Sequence, residues 1–186
     1  MKRLAIFIAL LMALAPSVSA SASTRPSSEL LTRGDLSAKW TKYYIENRDT
    51  ESCPESNFTK PTAPASARVI YVDRSSGTLL LEELRDSADP VKFYDTLITR
   101  TLKCPKTASQ LDGQVTFQQI RSVDITGVST PHRAFLLHAV VGSATVTGCV
   151  VYALKGNVVV AFAELSLMTL NQQQIKSTFV KALAKV

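Results

Sequence analysis

The residues with the greatest chemical potential in this chain are three cysteines, two histidines and one adjacent pair of glutamates. His132 and His138 stand six apart in one expected strand, hence on the same face, where imidazoles could hold a metal or pass protons. No third ligand stands at a recognisable spacing, so packing is the expected role of both, histidine being at home at intermediate burial. Glu82 and Glu83 are sequence neighbours. Neighbours in a strand point to opposite faces, which stops the two carboxylates from working as an acid–base pair. The chain contains no HExxH, GxSxG, GxGxxG, P-loop or CxxC pattern. The expectation is a protein without catalysis, metal or cofactor.

Cys53, Cys104 and Cys149 carry more information. Three thiols in an exported chain imply one disulfide and one thiol left over, and all three pairings are open. Cys149 lies between Gly148 and Val150 in the densest apolar run, which suits a buried free thiol. Cys53 and Cys104 lie at loop edges, which are easier places to bridge. Two short motifs weigh little. Arg33-Gly34-Asp35 spells an adhesion tripeptide, but a helix start already accounts for the aspartate, and Asn57-Phe58-Thr59 is a glycosylation sequon in a proline-rich loop.

Export is read from the first 20 residues. Met1-Lys2-Arg3 is a basic start, residues 4–15 are apolar, and Val18-Ser19-Ala20 offers small residues at a cleavage site. The apolar run is too short for a span of about 20 residues, and no cysteine follows to take a lipid. A secreted, periplasmic or cell-envelope location is expected, with no transmembrane span after cleavage. The net charge of +6 includes Lys2 and Arg3, and the rest is scattered without a basic run or interleaved aromatics. That pattern argues against nucleic acid as a partner.

The elements follow from local signals. A Ser-rich linker is expected over residues 21–29, then one domain over residues 30–186. Thr32 with Asp35 suggests a short N-terminal helix. Residues 40–45 read as an edge strand and residues 67–73 and 78–84 as a hairpin about Arg74-Ser75-Ser76-Gly77. Asp89-Pro90 opens a helix with Val91, Tyr94, Leu97, Ile98 and Leu102 on its inward stripe. Residues 114–120 form a strand, and residues 132–166 make a three-strand meander turning at Gly142-Ser143-Ala144 and Lys155-Gly156-Asn157. A last helix runs from about Asn171 to Lys185, with Ile175, Phe179, Val180 and Leu183 inward. The fold class is α+β: an antiparallel sheet of about five to seven strands with two main amphipathic helices.

The meander alternates poorly. Val158, Val160 and Phe162 lie on one face of its last strand, with Val159, Ala161, Ala163 and Leu165 on the other. An antiparallel sheet wet on one side should alternate apolar with polar, so this one requires cover on both faces. The two helices could both lie on one face. The other would then keep large side chains under little except the Trp40 segment, and exposed apolar patches of that kind mark interaction sites.

The opening Leu30-Leu31-Thr32, Asp35-Leu36 and Trp40 resembles that of actinobacterial exported sensor-domain proteins, the PknH-like extracellular sensor domain family. Cys53 resembles the family's first cysteine, Cys104 its second, and Thr147-Gly148-Cys149 its third. Lys155-Gly156-Asn157 running into Val158-Val159-Val160 is similar to the family's turn and valine strand. The resemblance implies an antiparallel sheet packed by helices, a ligand-accepting cleft, no catalysis and a Cys53–Cys104 disulfide. A fourth cysteine is usual in the family where this chain has Ala163 and Glu164, so Cys149 would be the orphan of a lost second pair. Thr101 stands where the family often has a tryptophan.

The resulting expectation is an exported, non-enzymatic sensor-like domain that captures a small or lipid-like molecule in an apolar cleft. The candidate ligand-binding residues are Phe135, Phe162, Tyr152, His138 and Trp40. The alternative is a cell-envelope protein-interaction or self-associating module using the same apolar face.

Overall fold

Short turns and caps divide the chain into the expected elements. In the computed structural model, residues 27–43, 65–103, 107–110, 113–141 and 143–186 are described. The expected leader, Cys53, Cys104 and the Asn57 sequon lie outside them. Eight strands pair: β1 (Trp40–Tyr43), β2 (Ala65–Asp73), β3 (Thr78–Asp86), β4 (Thr107–Gln110), β5 (Gly113–Val123), β6 (His132–Val141), β7 (Ala144–Lys155) and β8 (Val158–Ser166). Helix α1 is Pro90–Lys103 and helix α2 is Gln172–Lys185. Asp89 caps α1 by accepting from the Lys92 amide at 3.0 Å, and Asn171 caps α2 by accepting from the Gln174 amide at 3.1 Å. Gly77 and Gly156 turn their hairpins at φ 61°, a left-handed conformation that glycine adopts without steric cost.

The sheet is antiparallel in the order β1-β2-β3-β8-β7-β6-β5-β4. The expected α+β architecture is present, and the short strand β4, paired with β5, takes the strand count to eight. The meander folds back so that β8 fills the place beside β3. All nine residues of β8 are buried, as its two apolar faces demand.

Each sheet face has its own core. Ile70, Leu81, Phe135, Leu137, Tyr152, Val159 and Leu165 pack with Phe93 and Leu97 of α1, on what is here face A. Val69, Tyr71, Leu80, Val151, Val160 and Phe162 pack with Phe179 and Leu183 of α2, and with Leu30, Leu31 and Trp40, on face B. The helices therefore lie on opposite faces, not on one as the sequence allowed. Two apolar faces each need a cover, and one helix goes to each, joined on face B by Leu30, Leu31 and Trp40.

Three finer expectations change. The short helix expected around Thr32 is a set of turns, the Asp35 and Leu36 amides donating to the carbonyls of Thr32 and Arg33; a single 3-10 turn, Ser27–Glu29, precedes it. Helix α1 buries Phe93, Leu97 and Thr101, leaving Val91 and Leu102 55% and 56% exposed. Leu97 is buried as expected, with Tyr94 and Ile98 partly buried against the same core, and Thr101 joins them inward, its hydroxyl 3.0 Å from the buried Tyr152 hydroxyl. In α2, Thr178 and Ala182 face inward and Val180 is exposed.

Candidate functional site

The five expected ligand-binding residues do not line one cleft. Phe135 and Tyr152 lie on face A beneath α1, their ring centroids 6.3 Å apart. Phe162 and Trp40 are buried on face B, where Phe162 meets Phe179 of α2 at 5.7 Å. His138 is half-buried between Gln119 and Thr147, in step with the face B residues Ala134 and Leu136. His132 shares that face but packs on Phe179 at 6.2 Å, with Nδ1 2.8 Å from the Thr130 carbonyl. Six residues of strand separate the histidines by roughly 20 Å, too far to share an ion. An open concavity of about 420 Å³ lies on the outer side of α1, lined by Asp89, Val91, Lys92, Asp95, Thr96 and Thr99, and it includes none of the five.

Charge inside the sheet layers is what sequence patterning passed over. On face A, the buried Glu83 carboxylate takes Arg68 at 3.1 Å and pairs with Arg85, itself fully buried and 5.8 Å from the Phe93 ring. On face B, buried Glu82 accepts the Leu31 amide at 2.6 Å, and the Tyr71 hydroxyl donates to the Leu31 carbonyl at 3.1 Å. Glu164 is 2% exposed on the same face, opposite Leu80 and Cys149 in register. Glu82 Oε1 and Glu164 Oε2 have no hydrogen-bond partner among the described residues.

Burial dominates the electrostatics of this face. It pushes the Glu82 carboxyl up to about 7 against the opposing pull of the Leu31 amide and Lys185. Burial likewise raises Glu164 to about 7 against the charge of Lys39. The Cys149 thiol rises to about 12, by burial first and then by Glu164. Asp73 behaves in the opposite sense. Burial opposes its charge, yet hydrogen bonds from Ser75, Ser76 and Lys39 outweigh it and hold the carboxyl well below the usual range.

A strap, residues 30–40, crosses the face that holds these groups and touches Glu82 and Asp73. Leu30, Leu31 and Trp40 are its buried anchors. Its ties are otherwise polar: the Leu31 amide to Glu82, Lys39 to Asp73 at 2.9 Å, and Asp35 to both Lys181 and Lys185 of α2 at 2.8 Å. Hydrogen bonds from Lys185 and Thr32 hold Asp35 at about 2. That engagement occupies the aspartate of the Arg33-Gly34-Asp35 tripeptide within the fold. The sequence's signal for this site is a glutamate set in each of two apolar runs, Leu79-Leu80-Leu81-Glu82 and Phe162-Ala163-Glu164-Leu165.

No family model matches the chain, and no curated protein matches it. Among solved structures it is similar to the extracellular domain of PknH from Mycobacterium tuberculosis, at 15% identity and a TM-score of 0.44. That match covers 64% of this chain and 63% of that one. It is a distant likeness of fold. Among the described residues, no helix is long and apolar enough to cross a membrane, and no group of three His, Cys, Asp or Glu is placed to hold a metal ion.

Proposed function

We propose that this chain is an exported, non-enzymatic binding domain of sensor-like type, which takes a small or lipid-like molecule on face B beneath the strap. The observation that carries the reading is the nature of the cover. An apolar sheet face is best sealed by apolar side chains, as α2 seals its part with Phe179 and Leu183. The strap joins apolar anchors to polar ties, one of them to the buried Glu82, on a face that also buries the Glu164 carboxylate. Burying carboxylates without a cation in contact is costly, which favours a function over a purely structural cover. The leader sequence supports export.

Non-enzymatic action is favoured because the potential catalytic groups are dispersed. Glu82 and Glu83 lie on opposite faces, and Cys149 is buried with its thiol pushed up to about 12. The test is titration of the folded monomer with an apolar fluorescent probe and with an envelope lipid extract. Saturable binding is expected, and a folded monomer that takes up neither removes this reading. A docking function is the rival, favoured by the exposure of Val91 and Leu102 on the outer side of α1. It would show as concentration-dependent association in sedimentation.

A further inference from the structure

Face B has two covers held by different forces. Helix α2 sits on it through Ile175, Phe179, Ala182 and Leu183, contacts that pH does not alter. The strap is seated by Leu30, Leu31 and Trp40 and also by polar ties: the Leu31 amide to the buried Glu82 carboxyl, Lys39 to Asp73, Lys181 to the Asp35 carbonyl and Lys185 to the Asp35 carboxylate. Glu82 below it and Glu164 on the adjacent strand of the same face each have an oxygen without a hydrogen-bond partner among the described residues.

We propose that the strap, residues 30–40, is a proton-operated lid over face B, closed while Glu82 and Glu164 are protonated and lifted when they ionise. The proposal rests on face B being the binding face. A charge forming beneath the closed strap has no water, and lifting the strap restores hydration. The groups facing Glu82 do not supply a contacting cation. Tyr71 comes from β2, Glu164 from β8, Asp35 from the strap, and Lys185 of α2 acts only at a distance while itself bonded to Asp35. Glu164 faces Cys149 of β7 and feels Lys39, which is bonded to Asp73. The raised values of both glutamates, about 7, agree in sign. The closed state binds protons that the lifted state releases, so each pH unit through the transition favours lifting by up to about tenfold per carboxylate. A lifted strap would uncover Tyr71, Leu80 and Glu82. Such a site admits an apolar molecule above neutral pH and closes on acidification.

Trp40 is the single tryptophan of the chain, is 2% exposed and ends the strap. Acrylamide quenching of its emission in the full chain, followed from about pH 5.5 to about pH 8.5 alongside far-UV circular dichroism, reads the lid directly. A several-fold rise in quenching while the sheet signal holds is expected. Glu82→Gln keeps an acceptor for the Leu31 amide without a charge to form, and together with Glu164→Gln should abolish the rise. Quenching that stays flat in the unaltered chain overturns the lid, and needs no variant to fold. A rise that coincides with loss of the sheet signal also overturns it, in favour of global unfolding. So does a rise that persists in the folded double variant. Uptake of anilinonaphthalene sulfonate, measured across the same pH series, separates the two readings. Quenching without uptake supports the latch and removes face B as a binding site, whereas uptake with flat quenching does the reverse.

Discussion

Glu82 and Glu83 are adjacent in the chain, yet their carboxylates meet opposite layers of the molecule. Glu82 receives the neutral Leu31 amide at 2.6 Å under the strap, while Glu83 is set between Arg68 and Arg85 under α1. The strand pleat separates them, and tertiary packing then gives one carboxylate ion pairs and the other an amide. Their substitution and their pH dependence should differ accordingly.

Stability should fall as pH rises through the neutral range. For Glu82 and Glu164 the folded value of about 7 exceeds the ordinary 4.5, so between these limits the native chain binds protons that the unfolded chain has released. Their contribution is complete below 4.5 and is lost as pH passes about 7, by about 3 kcal/mol for each group at most. Asp35 acts in the other sense, its contribution present above 3.8 and lost as pH falls through about 2. Urea midpoints across the range check both, and Glu82→Gln together with Glu164→Gln should flatten the neutral limb.

Glu83→Gln should destabilise by about 3–5 kcal/mol, because it removes the carboxylate that neutralises the fully buried Arg85. Replacing the pair together, Glu83→Gln with Arg85→Met, should cost less than the first change alone. Chemical denaturation of the two variants measures the difference.

Cys149 should resist thiol reagents until the protein unfolds, since its thiol is buried and raised to about 12. Reagent uptake with and without denaturant tests this. Peptide mapping without reduction tests the Cys53–Cys104 link that the family resemblance implies; a Cys104–Cys149 peptide would overturn both expectations.

Phe135→Ala and Phe162→Ala should each lower stability by about 3–5 kcal/mol, both rings being fully buried and on separate faces. Val91→Ser and Leu102→Ser should change it by about 0.5 kcal/mol or less, as expected of exposed positions. Thermal melts of the four variants would show whether α1 is turned as described.

Local chemistry was enough to place most elements. Asp89 and Asn171 cap helices, Gly77 and Gly156 turn hairpins, and the period-two pattern of β8 divides Val160 and Phe162 from Val159 and Ala161. Each of these depends on residues within a turn or a strand of one another, so the sequence alone determined them. It also determined that both sheet faces need cover, since neither face of β8 is polar until Glu164. Tertiary structure decided which cover goes where. Helix α1 could have crossed either face, and its inward Thr101 meets Tyr152 across 51 residues. The candidate site is likewise non-local: Leu31 meets Glu82 across 51 residues, and Asp35 meets Lys185 across 150. A glutamate within an apolar run signals burial, but only the packed chain brings the amide, the lysines and the second carboxylate to it, because those partners come from three separate elements.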